Sequence, residues 1–249
     1  MKARMKIDAR NGPRHMVLAL AALCCGASSA HGVWVAQRAG ELAVVLGEGA
    51  LDEAYEPRQL RETKAFTASG AAAQAQVSAR ARNAVVEPAK DAAVLWVALE
   101  DGFWSQGRDG KWVGGSRRQV PDARKAGHYM KYGTTLLAPV RLPFAPIGAE
   151  LEIVPLADPF ALRRGQRLAV RVLSKGQPVA GVEVIGDFTG HTAGPRVRTD
   201  REGRATVTLG SSGLNVIAAS LVRPRGDTSE ADEDGLEATL AFVLPRAGH

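Results

Sequence analysis

Residues 151–185, LEIVPLADPFALRRGQRLAVRVLSKGQPVAGVEVI, decide the fold of this 249-residue chain. Leu151-Glu-Ile-Val-Pro155 enters a strand and Asp158-Pro159 marks a turn. Residues 166–173 then alternate apolar and polar side chains with the period of two that a half-buried strand requires. Lys175-Gly176-Gln177-Pro178 is a tight turn that feeds residues 182–185. The pattern continues downstream. Residues 196–199 run into the turn Asp200-Arg201-Glu202-Gly203-Arg204, and residues 205–209, 216–222 and 238–244 supply further strands. About seven short strands at this spacing predict an immunoglobulin-like sandwich over residues 148–249.

Upstream, Pro139, Pro143 and Pro146 form a stiff linker, and residues 31–147 read as a separate β-rich unit. Residues 32–47 predict a strand pair around Arg38-Ala39-Gly40, residues 75–86 alternate again, and residues 93–99 form an apolar run suited to a buried strand. Asp101-Gly102, Arg108-Asp109-Gly110-Lys111 and Gly114-Gly115 read as hairpin turns. Trp34, Trp96, Trp104 and Trp112 lie in this half and are assigned to core and turn packing. Residues 117–138 are the best helical segment, opened by Pro121 and closed before Pro139. The expected class is therefore all-β: two β-sandwich-like units, the second immunoglobulin-like, with a short helix before the linker.

Residues 1–30 read as an export signal. Lys2, Arg4, Lys6, Arg10 and Arg14 give a positive start, residues 16–27 a short apolar run, and Ser28-Ser29-Ala30 a small-residue cleavage site. The apolar run falls short of the roughly 20 residues that span a bilayer. No small residue of the kind expected before a lipidated cysteine precedes Cys24 or Cys25, so no lipid anchor is expected. Removal of this leader leaves His31 at the mature N-terminus. The formal charge of +6 falls to +2, because the leader holds five basic residues and one acidic, Asp8; a nucleic-acid partner is not indicated. Both cysteines leave with the leader, so residues 31–249 have no disulfide and no thiol chemistry. The expected location is the periplasm.

A free N-terminal His offers two nitrogens to one metal. The α-amine titrates near 8 and imidazole at about 6.5, so both shed protons to a borderline metal at neutral pH. The divalent stability order favours Cu(II) and Ni(II) at such a site over Mg²⁺ or Ca²⁺. His128, on the expected helix, and His191 with Asp187, four residues apart in a Gly-rich loop, are the candidates to complete it. His249 ends a frayed tail. The acidic residues Asp227, Glu230, Asp232, Glu233, Asp234 and Glu237 lack the order of a Ca²⁺ loop and read as a solvated, mobile connection. No nucleophile elbow, zinc-protease motif, phosphate loop or cysteine nucleophile is present, so no enzymatic activity is expected.

LEIVPLADPFALRRGQRLAVRVLSKGQPVAGVEV, VRTDREGRATVTLGSSGLNVIAAS and LEATLAFVLP together resemble the NikM-type periplasmic domain family, which is associated with nickel uptake and often left as a domain of unknown function. The resemblance spans most of residues 31–249 and includes a His just after the signal, here His31, and a Tyr-rich segment, here HYMKYGTTLL. It implies a metal-uptake accessory that holds Ni(II) or Co(II) and works with a membrane metal transporter. Members of the family commonly place a His where this chain has Ser220. The alternative is a metal-free envelope scaffold that meets another envelope protein through Tyr129, Lys131 and Tyr132.

Overall fold

Runs of alternating apolar and polar residues, cut by Gly, Pro and Asp, leave the chain few ways to bury its side chains other than as pleated sheets. The computed structural model describes residues 31–245, so the expected leader, Cys24, Cys25 and His249 lie outside the described residues. Eighteen strands follow in order. The first nine are β1 (Gly32–Arg38), β2 (Glu41–Glu48), β3 (Leu51–Glu53), β4 (Leu60–Thr67), β5 (Ala72–Ala73), β6 (Ala75–Ala79), β7 (Ala84–Pro88), β8 (Ala92–Gln106) and β9 (Trp112–Gly114). The remainder are β10 (Lys125–Leu136), β11 (Glu152–Pro155), β12 (Arg167–Ser174), β13 (Gln177–Pro178), β14 (Glu183–Ile185), β15 (Arg196–Arg198), β16 (Arg204–Thr208), β17 (Leu214–Pro224) and β18 (Glu233–Val243). Among the described residues no helix is long and apolar enough to cross a membrane.

The strands form three sheets. The first runs β1-β2-β7-β6 with β3 on β2, and the second, of nine strands, runs β15-β14-β17-β18-β10-β8-β4-β5 with β9 on β8. The third runs β11-β12-β13 with β16 on β12. The nine-stranded sheet is the middle layer. On one face, β11, β12 and β16 close a sandwich with β14, β15, β17 and β18 around Leu168, Val170, Val172, Val184, Val207, Ile217 and Leu240. These seven strands are the immunoglobulin-like arrangement that residues 151–244 predict. On the other face, β1 and β2 lay Val33, Val35, Val44 and Leu46 over Leu95, Val97 and Leu99, and Trp34 and Val45 beside Val216 and Ala241.

β1 and β2 pair across the turn at Ala39-Gly40, as their alternation requires, with Val35 opposite Val44. Trp34 is buried with its ring edge-on to Phe188, and Trp96 stacks on Tyr132, in line with packing roles for both. The boundary expected at residues 147/148 falls between β10 and β11, and the nine-stranded sheet contains strands from both sides of it.

Three expectations are corrected. Residues 117–138 contain no helix: residues 117–124 are turns and β10 is a strand, hydrogen-bonded to β8 on one side and parallel to β18 on the other. Its Gly127, Gly133, Thr134 and Thr135 are poor helix formers, and two ladders satisfy every position a helix would have to satisfy alone. Asp101-Gly102 is not a hairpin turn. It is a register shift inside β8, where Glu100 pairs with Met130 and Gly102 with Tyr129, leaving Asp101 as the extra residue. The acidic connection is more ordered than expected: β18 starts at Glu233, Asp232 accepts from the Ala126 backbone N–H at 2.8 Å and from Arg117, and Asp234 pairs with Arg225.

Candidate functional site

His31 is the first described residue and leads directly into β1, where Gly32 lies opposite Gly47. β2 also carries β3, which brings Glu53 opposite Leu46 and sets its carboxylate beside the His31 ring, with Nε2 2.9 Å from Oε1. A carboxylate at Nε2 holds the ring proton there and makes Nδ1 the basic nitrogen, the arrangement that outer carboxylates impose on metal-binding imidazoles. In a chain that begins at His31, Nδ1 and the α-amine of the same residue close one chelate ring on a metal. This donor set fits a borderline divalent ion and leaves its other coordination positions open.

The other predicted ligands do not join it. Along β10, Thr135 faces β1, accepting from the Val35 N–H at 3.0 Å, and Gly133 lies under the Val33 carbonyl, where a Cβ would collide with backbone. Strand alternation puts Lys131 on that face and His128, Met130 and Tyr132 on the opposite one. His128 Nε2 is 2.9 Å from Glu100 Oε1 and its Nδ1 3.7 Å from Asp234 Oδ1, with the Phe103 ring 4.6 Å away. The two carboxylates occupy opposite edges of the ring, so no single ion reaches all three groups. Arg61 pairs with Glu100 and Arg225 with Asp234, and His128 foremost, then Arg61, holds Glu100 below the usual carboxylate range.

Asp187 and His191 shape the loop after β14. Asp187 Oδ1 accepts from the Gly190 N–H at 3.0 Å, and the Asp187 carbonyl accepts from the His191 N–H at 2.9 Å. The loop docks through Phe188, whose ring packs on Trp34 and beside Gly32. Among the described residues, no three or more His, Cys, Asp or Glu side chains are grouped to hold a metal ion.

A polar cluster that sequence reasoning missed lies on the β1-facing side of the middle sheet. Lys131 is wholly buried; its Nζ is 3.4 Å from Asp101 Oδ2, 6.0 Å from the Tyr129 ring centre, and has no hydrogen-bond partner. Glu237 is the register partner of Lys131 on β18 and is also buried. Burial pushes its carboxyl up to about 7, against the opposing pull of the Lys131 charge and of the Ser220 hydroxyl, which donates to Oε2 at 2.7 Å. Tyr129, Lys131 and Tyr132, expected as surface contacts, are all buried, because β10 is covered on both faces. Two signals in the chain point at this cluster: a lone Lys inside GHYMKYGTTL and a lone Glu inside the apolar GLEATLAFV.

β1 seals this face. Thr239 donates to the Val33 carbonyl at 2.5 Å, and Gly32 sits against Thr239 and Phe188. Glu48, the residue after Gly47 on β2, also raises the Glu237 carboxyl through its charge. The end of β1 that carries His31 therefore lies at the Glu237 end of the cluster.

An uncharacterized protein of Haemophilus influenzae is 25% identical to this chain over 218 residues, covering 86% of the chain and 91% of that protein. No solved structure matches. The family model for a domain of unknown function, DUF4198, matches residues 28–223, a span that takes in His31, β10, the Asp187 loop and Ser220; the chain belongs to this family.

Proposed function

We propose that this protein is an exported, non-catalytic metal-binding accessory of the NikM type. In this reading it takes Ni(II), Co(II) or Cu(II) through the amine and Nδ1 of a mature N-terminal His31 in the periplasm, and passes the ion to a membrane transporter. The observation that carries the reading is the 2.9 Å contact between His31 Nε2 and Glu53, which orients the ring at the residue where the leader is expected to end. The metal is cargo, and the open coordination positions suit transfer to a second set of ligands.

The test is titration of Ni(II) and Cu(II) into protein that begins at His31, beside protein with one extra N-terminal Gly. The processed form binds at micromolar concentration or tighter, and the extension weakens binding at least tenfold. Equal affinity in the two forms refutes the His31 site. His128→Ala, Asp187→Ala and His191→Ala leave the affinity unchanged.

A second reading, a metal-free envelope scaffold, is favoured by the commitment of His128 and Asp187 to structural partners on other strands and in their own loop. It predicts that neither form binds.

A further inference from the structure

The Lys131 cluster carries an inference independent of metal binding. Lys131 brings three N–H donors into a site wholly shielded from water, and none of them is hydrogen-bonded. A buried ammonium with unmet donors is among the costliest groups a protein interior can hold. An amide nitrogen in the same place carries no charge and a single N–H.

The groups that make such an amide are already adjacent. Asp101, the extra residue of the β8 register shift, turns its carboxylate to 3.4 Å from Lys131 Nζ, and its side chain is only 11% exposed. Gly102 takes the left-handed conformation, φ 89°, that the shift requires. The 3.4 Å Nζ–Oδ2 contact sets the amine against the carboxyl group whose carbon it must reach. On the other side of Lys131, one strand over, stands Glu237. The order β8-β10-β18 thus lines up carboxyl, amine and a second carboxyl across three neighbouring strands.

We propose that Lys131 and Asp101 condense into an intramolecular amide, a covalent bond between β8 and β10, with Glu237 as the neighbouring proton carrier. The Nζ lone pair adds to Cγ of Asp101, a carboxyl oxygen leaves, and the products are one amide and one water. Nζ gives up protons and the departing oxygen takes them up. The protonated Glu237 gives one to the departing oxygen and regains one from Nζ, and ends as it began. No oxidant or reductant takes part. Holding the pair together raises its effective concentration to roughly 10⁵ M or more, and exclusion of water from the closed site opposes hydrolysis. A carboxyl kept protonated near neutral pH suits this role.

The experiment is intact-mass measurement of the folded, processed protein under denaturing conditions. The expected mass is below that of the uncross-linked chain by about 18 Da, one water. Lys131→Arg and Asp101→Ala each restore the full mass, and Asp101→Asn gives a deficit of about 17 Da, one ammonia. Glu237→Gln, close in shape, retains the full mass while its circular dichroism matches the wild type. Trypsin digestion yields one branched peptide joining residue 101 to residue 131, because an acylated Lys131 is not cleaved. A folded wild-type protein at full mass, or separate peptides carrying Asp101 and Lys131, overturns the proposal and leaves a buried ion pair.

Discussion

Glu237→Gln should reverse its effect on stability with pH. The carboxyl titrates at an ordinary 4.5 when the chain is unfolded and at about 7 when β1, β17 and β18 enclose it. Below 4.5 both states hold the proton and the buried carboxyl is accommodated as a neutral acid. Between 4.5 and 7 the unfolded chain ionises while the folded one does not, so stability falls as pH rises. Above 7 the loss is complete. At 1.36 kcal/mol per unit, the shift corresponds to about 3 kcal/mol. Glutamine stays neutral throughout and keeps an acceptor for Ser220. The difference in unfolding free energy, variant minus wild type, should therefore rise by about 3 kcal/mol from pH 4 to pH 8. Urea denaturation at half-unit pH steps measures it. A difference that stays flat within about 0.5 kcal/mol over this range refutes the buried, protonated Glu237.

Tyr55→Phe removes the hydroxyl that accepts from the Ala84 N–H at 2.9 Å and donates to the Val44 carbonyl at 3.0 Å. Both backbone groups are buried, so the urea midpoint should drop by an amount equivalent to about 2 kcal/mol with the slope unchanged. Gly133→Ala drives a methyl into the Val33 carbonyl and should cost more than about 2 kcal/mol by forcing β1 off the middle sheet, seen as a lower Tm in calorimetry. Glu53→Gln should weaken Ni(II) or Cu(II) binding to the processed protein by about 10-fold to 100-fold, read by competition with a chromogenic chelator.

The sandwich was legible because its strands are each buried on one face and alternate. Leu168, Val170 and Val172 point into the core, while Ala169 and Arg171 are more exposed, and that is the period-two pattern itself. β10 was illegible for the same reason reversed. Both its faces are covered, so Tyr129, Lys131, Tyr132 and Thr134 are all buried and the alternation vanishes. His31 was visible from the small residues before it, and its partner Glu53 was not, since only the β2–β3 pairing brings them together. The Lys131 cluster depends on a parallel ladder that joins residues more than 100 positions apart, together with a one-residue register shift; neither leaves a local mark.

That parallel ladder sets an order of events for the growing chain. β8 and β10 are close in sequence, with only the short β9 between them, and pair early, yet the open side of β10 has no partner until residues 233–243 are made. In the interval the middle sheet exposes an unsatisfied strand edge carrying Tyr132, Thr134 and Leu136. Contacts this distant in sequence slow closure, and an exposed edge invites pairing with another chain. Chains truncated before β18 should therefore aggregate, and full-length chains should have a slow final folding phase in which β18 docks on β10.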